Sequence, residues 1–218
     1  MNGICEMVFI LDCSGSMRSL KADTIGGFNS MIAKERADDV NGMITAALFN
    51  GNLEIPFDRV DLKDVPEMTE EIYDPRGCTA LYDAVGRMIM RVKNHRKDLA
   101  PNEIPLKTVF VITTDGYENA SRDFSGPRLR RLIEQQKEEG WEFLYLGANI
   151  DASAEADRIG IRTDRAVRYH ADPRGIRRNF ESLGDTLSCY AQSAPSERIS
   201  PHWAEDIEAD YFSRESDR

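Results

Sequence analysis

No apolar run in this sequence approaches the roughly 20 residues that a membrane-spanning helix needs, so a protein of that kind is not expected. Histidine is scarce: His95, His170 and His202 are scattered and form no zinc-like grouping with the cysteines. The four cysteines, Cys5, Cys13, Cys78 and Cys189, include no CxxC pair and no spacing of a disulfide framework. Residues 1–6 carry neither a basic region nor a cleavable apolar stretch, so no export signal is read. Reduced thiols in a cytoplasmic protein are the expectation. Positive charge is also in deficit, with a formal net charge of −10. That disfavours non-specific nucleic-acid binding, which needs cations to neutralise phosphates. It suits cation binding and a self-repelling surface.

What is present is the composition of a globular protein, 41% hydrophobic and 30% charged, in a chain of 218 residues. The length fits one domain, residues 1–194, with an acid-rich C-terminal extension, residues 195–218. Within the domain, short apolar runs alternate with helical patterns. Residues 7–11 (MVFIL) read as a buried strand ending at Asp12. Ile25, Phe28 and Ile32 recur at helical spacing across residues 20–35, although Gly26-Gly27 weakens that helix. Residues 43–49 form a second strand, and Asn50-Gly51 signals a tight hairpin into residues 53–57. Pro56 cannot donate to a ladder, which places that strand antiparallel at an edge.

Leu81, Val85, Met88, Ile89 and Val92 make one helical stripe, and residues 95–106 are a polar connection. Residues 108–112 are a strand running into Thr113-Thr114-Asp115-Gly116. A helix bounded by Pro127 and Gly140 follows, then a strand at 143–146, a short helix at 151–159 and a brief strand at 166–170. Asp172-Pro173 opens a final helix with Ile176, Phe180, Leu183, Leu187 and Tyr190 on one face. The alternation predicts a doubly wound α/β fold, its sheet mostly parallel with one antiparallel edge strand and helices on both faces. After Pro195, Trp203, Ile207, Tyr211 and Phe212 interrupt an acidic stretch; Trp203 and Tyr211 dock on the domain or on a partner, or belong to a mobile end.

Ligands of open α/β sheets bind outside the carboxyl ends of the strands. Three groups of oxygen-bearing residues fall at such places: Asp12-x-Ser14-x-Ser16, Thr79 ahead of the Leu81 helix, and Asp115. Carboxylates and hydroxyls are hard donors, which favours Mg²⁺, with Mn²⁺ as the alternative, over zinc or copper. Gly15 gives the first loop freedom between its two serines. Each residue also has a plainer reading. Thr79 would serve as a helix N-cap, the serines as loop hydroxyls, and Asp115-Gly116 as a turn.

The motifs DCSGS, GCTAL and TTDG resemble the metal-ion-dependent adhesion site (MIDAS) of von Willebrand factor A (VWA) domains, and the element order agrees over residues 5–190. The resemblance implies hydroxyl ligation by Ser14, Ser16 and Thr79, with Asp12 and Asp115 binding directly or through water. It also implies a coordination position left for an aspartate or glutamate of a partner protein. The stretches DTIGGFNS, GCTALYDAVG and LGANIDA are similar to the intracellular bacterial and phage branch, whose members serve as adaptors for AAA+ ATPases or other complexes. Cys78 stands where many relatives have glycine, and its β-carbon restricts the Thr79 loop.

Arg18, Tyr117, Glu118 and Asn119 are placed to line the partner-binding rim, or are simply surface residues. Cys13 and Cys78 are either a redox pair or inert small side chains. Asp58, Asp61 and Asp64 lack calcium-loop spacing and read as solvated charges at the edge strand. Two function classes follow. One is a non-enzymatic, metal-dependent protein-interaction module. The other is a metal-dependent phosphoesterase, against which stand the missing general base, the distant histidines and the absence of GxxxxGK[ST] and GxSxG motifs.

Overall fold

The computed structural model describes residues 3–148 and 150–215; Met1, Asn2, Asn149 of the LGANIDA stretch and residues 216–218 lie outside the described residues. The strands are β1 (Cys5–Asp12), β2 (Gly42–Phe49), β3 (Leu53–Asp61), β4 (Lys107–Thr114), β5 (Glu142–Ala148) and β6 (Ala166–Tyr169). They form one sheet in the order β3-β2-β1-β4-β5-β6. Every residue of β1 is buried, as its uninterrupted apolar run requires of a strand flanked on both edges and covered on both faces. β1 pairs in parallel with β2 and with β4, and β5 and β6 continue the parallel run. Only β3 is antiparallel; it is the edge strand that Pro56 demands, and its pairing with β2 is interrupted by two register shifts.

The helices are α1 (Lys21–Ala37), α2 (Leu81–Lys97), α3 (Gly126–Glu138), α4 (Ala152–Arg158), α5 (Pro173–Gln192) and α6 (Glu205–Glu215). Strand alternation sends Met7, Phe9 and Leu11 to one face, where Phe28 of α1 and Phe180, Leu183 and Leu187 of α5 meet them. Val8 and Ile10 point to the other face, against Val85 and Met88 of α2, Leu129 and Ile133 of α3, and Ala152 and Ala156 of α4. No helix among the described residues is long and apolar enough to cross a membrane.

Two local expectations change, and the hairpin turn is defined. The Gly26-Gly27 pair does not interrupt α1, which runs unbroken to Ala37. A Cβ on Gly27 would come within 2.3 Å of the Phe180 ring, so this glycine lets α5 approach α1. The Asn50-Gly51 hairpin turn is a three-residue loop, residues 50–52, as the strand bounds imply: the Asn50 side chain accepts from the Asn52 N–H at 2.9 Å and closes the loop locally. The helix opened by Asp172-Pro173 is not the last. α6 follows, with Glu205, Asp206 and Glu208 in its first turn, where the helix dipole favours acids. Trp203 and Ile207 are buried in the α1–α5 side of the core, and Tyr211 stacks on His170 at 4.6 Å between ring centroids. Trp203 and Tyr211 therefore pack on the domain itself, while Phe212 is exposed.

Candidate functional site

The chain leaves β1 toward β2 on one side, yet β4 lies on the other side of β1, so the carboxyl ends of β1 and β4 border the crevice where the winding reverses. Asp12 is the last residue of β1, and Asp115 follows the last residue of β4. The Asp12 side chain accepts from the Ser14 N–H at 2.8 Å and from the Thr114 hydroxyl at 2.6 Å. The buried Tyr73 hydroxyl donates to the Asp12 carbonyl at 2.5 Å. Beyond Ser14 the chain makes a short 3₁₀ turn, Gly15–Leu20. That turn brings the Ser16 hydroxyl to Asp115 Oδ1 at 2.6 Å and to the Ser14 hydroxyl at 3.1 Å. Four of the five expected oxygen donors therefore form one connected cluster.

Thr79 reaches the same place through the backbone. Gly77, at φ +76°, takes a left-handed turn that suits glycine, and its carbonyl accepts from the Gly15 N–H at 3.1 Å. The Ala80 N–H donates to the Asn50 carbonyl at 2.8 Å, fixing the loop to the β2–β3 turn. A Cβ on Gly116 would stand 4.0 Å from the Thr79 hydroxyl, which measures how closely this loop approaches the one that follows β4. The N-cap of α2 is Ala80, not Thr79. The helix's first N–H groups are met instead by Glu118, which accepts from Tyr82, and by the Ser121 hydroxyl, which accepts from Asp83. Cys78 does not have a positive φ and is exposed, so its β-carbon imposes no strain there.

Burial is graded across the cluster. Asp12, Ser14 and Thr79 are 1%, 2% and 5% exposed and Asp115 is 8% exposed, whereas Ser16 is open to solvent. Burial pushes the Asp12 carboxyl above its ordinary value, against the hydrogen bonds from Ser14 and Thr114 that lower it, and the charge of Asp115 adds to the rise. Neither Asp12 nor Asp115 has a lysine or arginine partner among the described residues, although ion pairs are abundant elsewhere on the chain. Two buried carboxylates without a counter-charge, ringed by neutral hydroxyls, are chemically suited to a hard divalent cation. Among the described residues no group of three or more His, Cys, Asp or Glu is placed to hold a metal ion, so the hydroxyls are essential to any such set.

The residues expected at the rim divide into two pairs. Arg18 and Tyr117 are exposed, and the Arg18 side chain makes no ion pair or hydrogen bond among the described residues. Glu118 is half-buried and Asn119 exposed, but their side-chain oxygens are occupied by backbone N–H groups of the α2 terminus and its flanking loops. Cys13 is buried, and burial pushes its thiol up to about 11, whereas Cys78 is exposed. His170 stacks on Tyr211, His202 pairs with Glu205 and His95 lines a groove of about 990 Å³ at the opposite end of the sheet; none is hydrogen-bonded to the cluster. Thr114, Tyr73 and Asn50 escaped the sequence reading, because each acts only through the fold.

The fold and site together define a doubly wound α/β domain with an oxygen-rich cluster at its topological switch point. No protein-family model matches the chain, and no curated protein does. Solved structures do. Proximal thread matrix protein 1 from the mussel byssus, in a form with a zinc-occupied MIDAS motif, superposes at TM-score 0.52 and 16% identity, covering 85% of this chain and 46% of its own. The vWF domain of the type V pili tip protein Mfa5 from Porphyromonas gingivalis matches at 0.60 and 11%, covering 92% and 99%. A von Willebrand factor type A structure from Catenulispora acidiphila matches at 0.54 and 18%, covering 85% and 43%. This chain thus spans about half the length of the mussel protein. Its structural neighbours include VWA domains, and it has their Rossmann-like α/β fold.

Proposed function

We propose that this domain is a non-enzymatic protein-interaction module that holds a divalent ion, Mg²⁺ or alternatively Mn²⁺, with Asp12, Ser14, Ser16, Thr79 and Asp115, as a MIDAS of the VWA type. The observation that carries the reading is the convergence of Asp12, Ser14, Ser16 and Asp115 at the switch point, with both carboxylates buried and lacking a cationic partner. The zinc-occupied MIDAS motif of the mussel protein supports divalent-ion use on this fold. When bound, the ion supplies a positive charge that neutral hydroxyl ligands leave largely unspent, so that an aspartate or glutamate of a partner is attracted to it. Exposed Arg18 adds a second attraction for an acidic partner surface, and exposed Tyr117 an apolar one. The cytoplasmic setting, the kinship with the bacterial and phage branch and an AAA+ ATPase or other complex subunit as partner belong to the same proposal.

A phosphoesterase needs a base or nucleophile in a named role. Glu118, the carboxylate three residues beyond Asp115, is committed to four hydrogen bonds within its own loop and the α2 terminus. The test is affinity capture with wild type and Asp12→Ala in Mg²⁺, and with wild type in EDTA. Partners that wild type retains in Mg²⁺, and that both the variant and EDTA release, are expected. Capture indifferent to both changes refutes the interaction role, and turnover of a phosphoester panel that Asp115→Ala abolishes replaces it with catalysis.

A further inference from the structure

Resting on that reading, we infer that Glu118, with Asn119, is a positioning residue of the metal site: it locks the loop carrying Asp115 to the loop carrying Thr79, so that two donors from distant parts of the sequence act as one rigid half-site. Glu118 Oε1 accepts from the N–H groups of Ala120 at 2.8 Å and Ser121 at 2.7 Å. Its Oε2 accepts from the Ser121 hydroxyl at 2.7 Å and, across to α2, from the Tyr82 N–H at 2.8 Å. Ser121 in turn accepts from the Asp83 N–H at 3.0 Å.

Asn119 forms a reciprocal pair with Thr79 itself. Its side-chain oxygen accepts from the Thr79 N–H at 3.0 Å, and its own N–H donates to the Thr79 carbonyl at 3.1 Å. The lacing is returned from the helix side. Asp83 accepts from the N–H groups of Arg122, Asp123 and Phe124 at 2.8–2.9 Å, and burial, which would raise its carboxyl, is outweighed by those bonds, leaving it below its ordinary value. Glu118 lies three residues beyond Asp115 and three beyond Thr79 lies Tyr82, so each anchor sits one short step from a proposed ligand. Displacing Thr79 relative to Asp115 requires breaking the two Asn119 bonds and straining the charge-assisted bonds of Glu118 and Asp83 around them.

The other half-site, Asp12 to Ser16, meets this one through the Ser16–Asp115 hydrogen bond and the Gly15–Gly77 backbone bond. Mg²⁺ tolerates little departure from octahedral geometry. A loosened Thr79 therefore weakens binding even when every ligand is present.

The experiment is calorimetric titration of Mg²⁺ alone into wild type, Glu118→Ala, Glu118→Gln, Thr79→Ala and the Glu118→Ala/Thr79→Ala double variant, with thermal melts in EDTA. Glu118→Ala is expected to weaken Mg²⁺ binding about tenfold or more, the usual penalty for removing a group that orients a ligand. Glu118→Gln, which keeps one acceptor oxygen but offers an amide NH₂ to a donor, is expected to fall between it and wild type. In the Thr79→Ala background the Glu118 effect should vanish, because there is no hydroxyl left to position. A loss that multiplies with that of Thr79→Ala, or Mg²⁺ binding as in wild type by both Glu118 variants when folded, overturns the positioning role. Absence of Mg²⁺ binding by wild type overturns the metal site itself, a different outcome. If Glu118→Ala melts below the assay temperature, the Glu118→Gln comparison in the two backgrounds decides.

Discussion

Glu35 is 1% exposed on the face of α1 that packs against α5, and its Oε1 has no hydrogen-bond partner. Burial raises its carboxyl to about 7, against a Ser188 hydrogen bond and the charge of Lys34, which lower it, while Asp38 and Asp185 add to the rise. Ser188 has one proton and lies 3.2 Å from Glu35 and 2.8 Å from Asp38, so a protonated Glu35 can donate to Ser188 while Ser188 donates to Asp38. Because the folded value lies above the unfolded 4.5, the stabilisation from this carboxyl is full below pH 4.5 and is lost as pH rises through about 7. Relative to Glu35→Gln, wild type should lose up to about 3 kcal/mol between pH 4.5 and 8, read from urea midpoints of both proteins. A wild-type-to-variant difference that stays flat with pH would sink the assignment. Nothing in the sequence singles out Glu35 among the acids, since its burial depends on which helix face meets α5. Asp12, Ser14 and Ser16 were legible because a single loop carries them at alternate positions. Thr114 and Tyr73 were not, because they reach Asp12 from 102 and 61 residues away.

At the scale of the element, the alternation of apolar runs and helical stripes made the strand order's raw material readable, and Pro56 marked the edge strand. Helix α1 was read as weakened because propensity counts a glycine without asking what lies over it. Gly26 and Gly27 separate these two influences. A Cβ on Gly26 would meet nothing within 4 Å, whereas one on Gly27 would meet the Phe180 ring at 2.3 Å, and that ring is packed edge-on against Phe28. Gly26→Ala is therefore expected to stabilise the protein by up to about 1 kcal/mol through helix propensity alone. Gly27→Ala is expected to destabilise it by roughly 1–3 kcal/mol, the cost of overpacking a filled core outweighing the same propensity gain. Chemical denaturation of the two variants checks the sign at each site. Equal shifts in the same direction would show that α5 does not close on α1 at Gly27. The same distinction explains the α2 terminus, where a threonine next to an apolar stripe reads as a cap, yet Ala80 holds that position and a loop 36 residues away supplies the acceptor.

Over the whole molecule, the sheet separates the candidate site from scaffolding along its length: the oxygen cluster sits at the carboxyl ends of β1 and β4, while the segment after α5 closes the structure elsewhere. Ile199, Trp203 and Ile207 are 2%, 5% and 1% exposed and join the core shared by α1 and α5. The Trp203 indole N–H donates to the Asp164 carbonyl at 3.0 Å, just before β6 begins, and its own carbonyl accepts from Ser182 of α5 at 2.8 Å. Trp203 thus fastens the chain near the amino end of β6, away from the strand ends that carry Asp12 and Asp115. Acidic composition left docking as one reading among several, because three apolar side chains spread through a charged stretch show no clear period. Trp203→Ala removes a buried aromatic side chain and should cost about 3–5 kcal/mol, visible as a lower melting temperature. Mg²⁺ affinity, titrated below that temperature, should be unchanged, since no hydrogen bond around the oxygen cluster passes through Trp203. Loss of Mg²⁺ affinity in the folded variant would mean that the closing segment is coupled to the strand ends. A melting temperature equal to that of wild type would mean that residues 195–215 contribute nothing to the core they pack against.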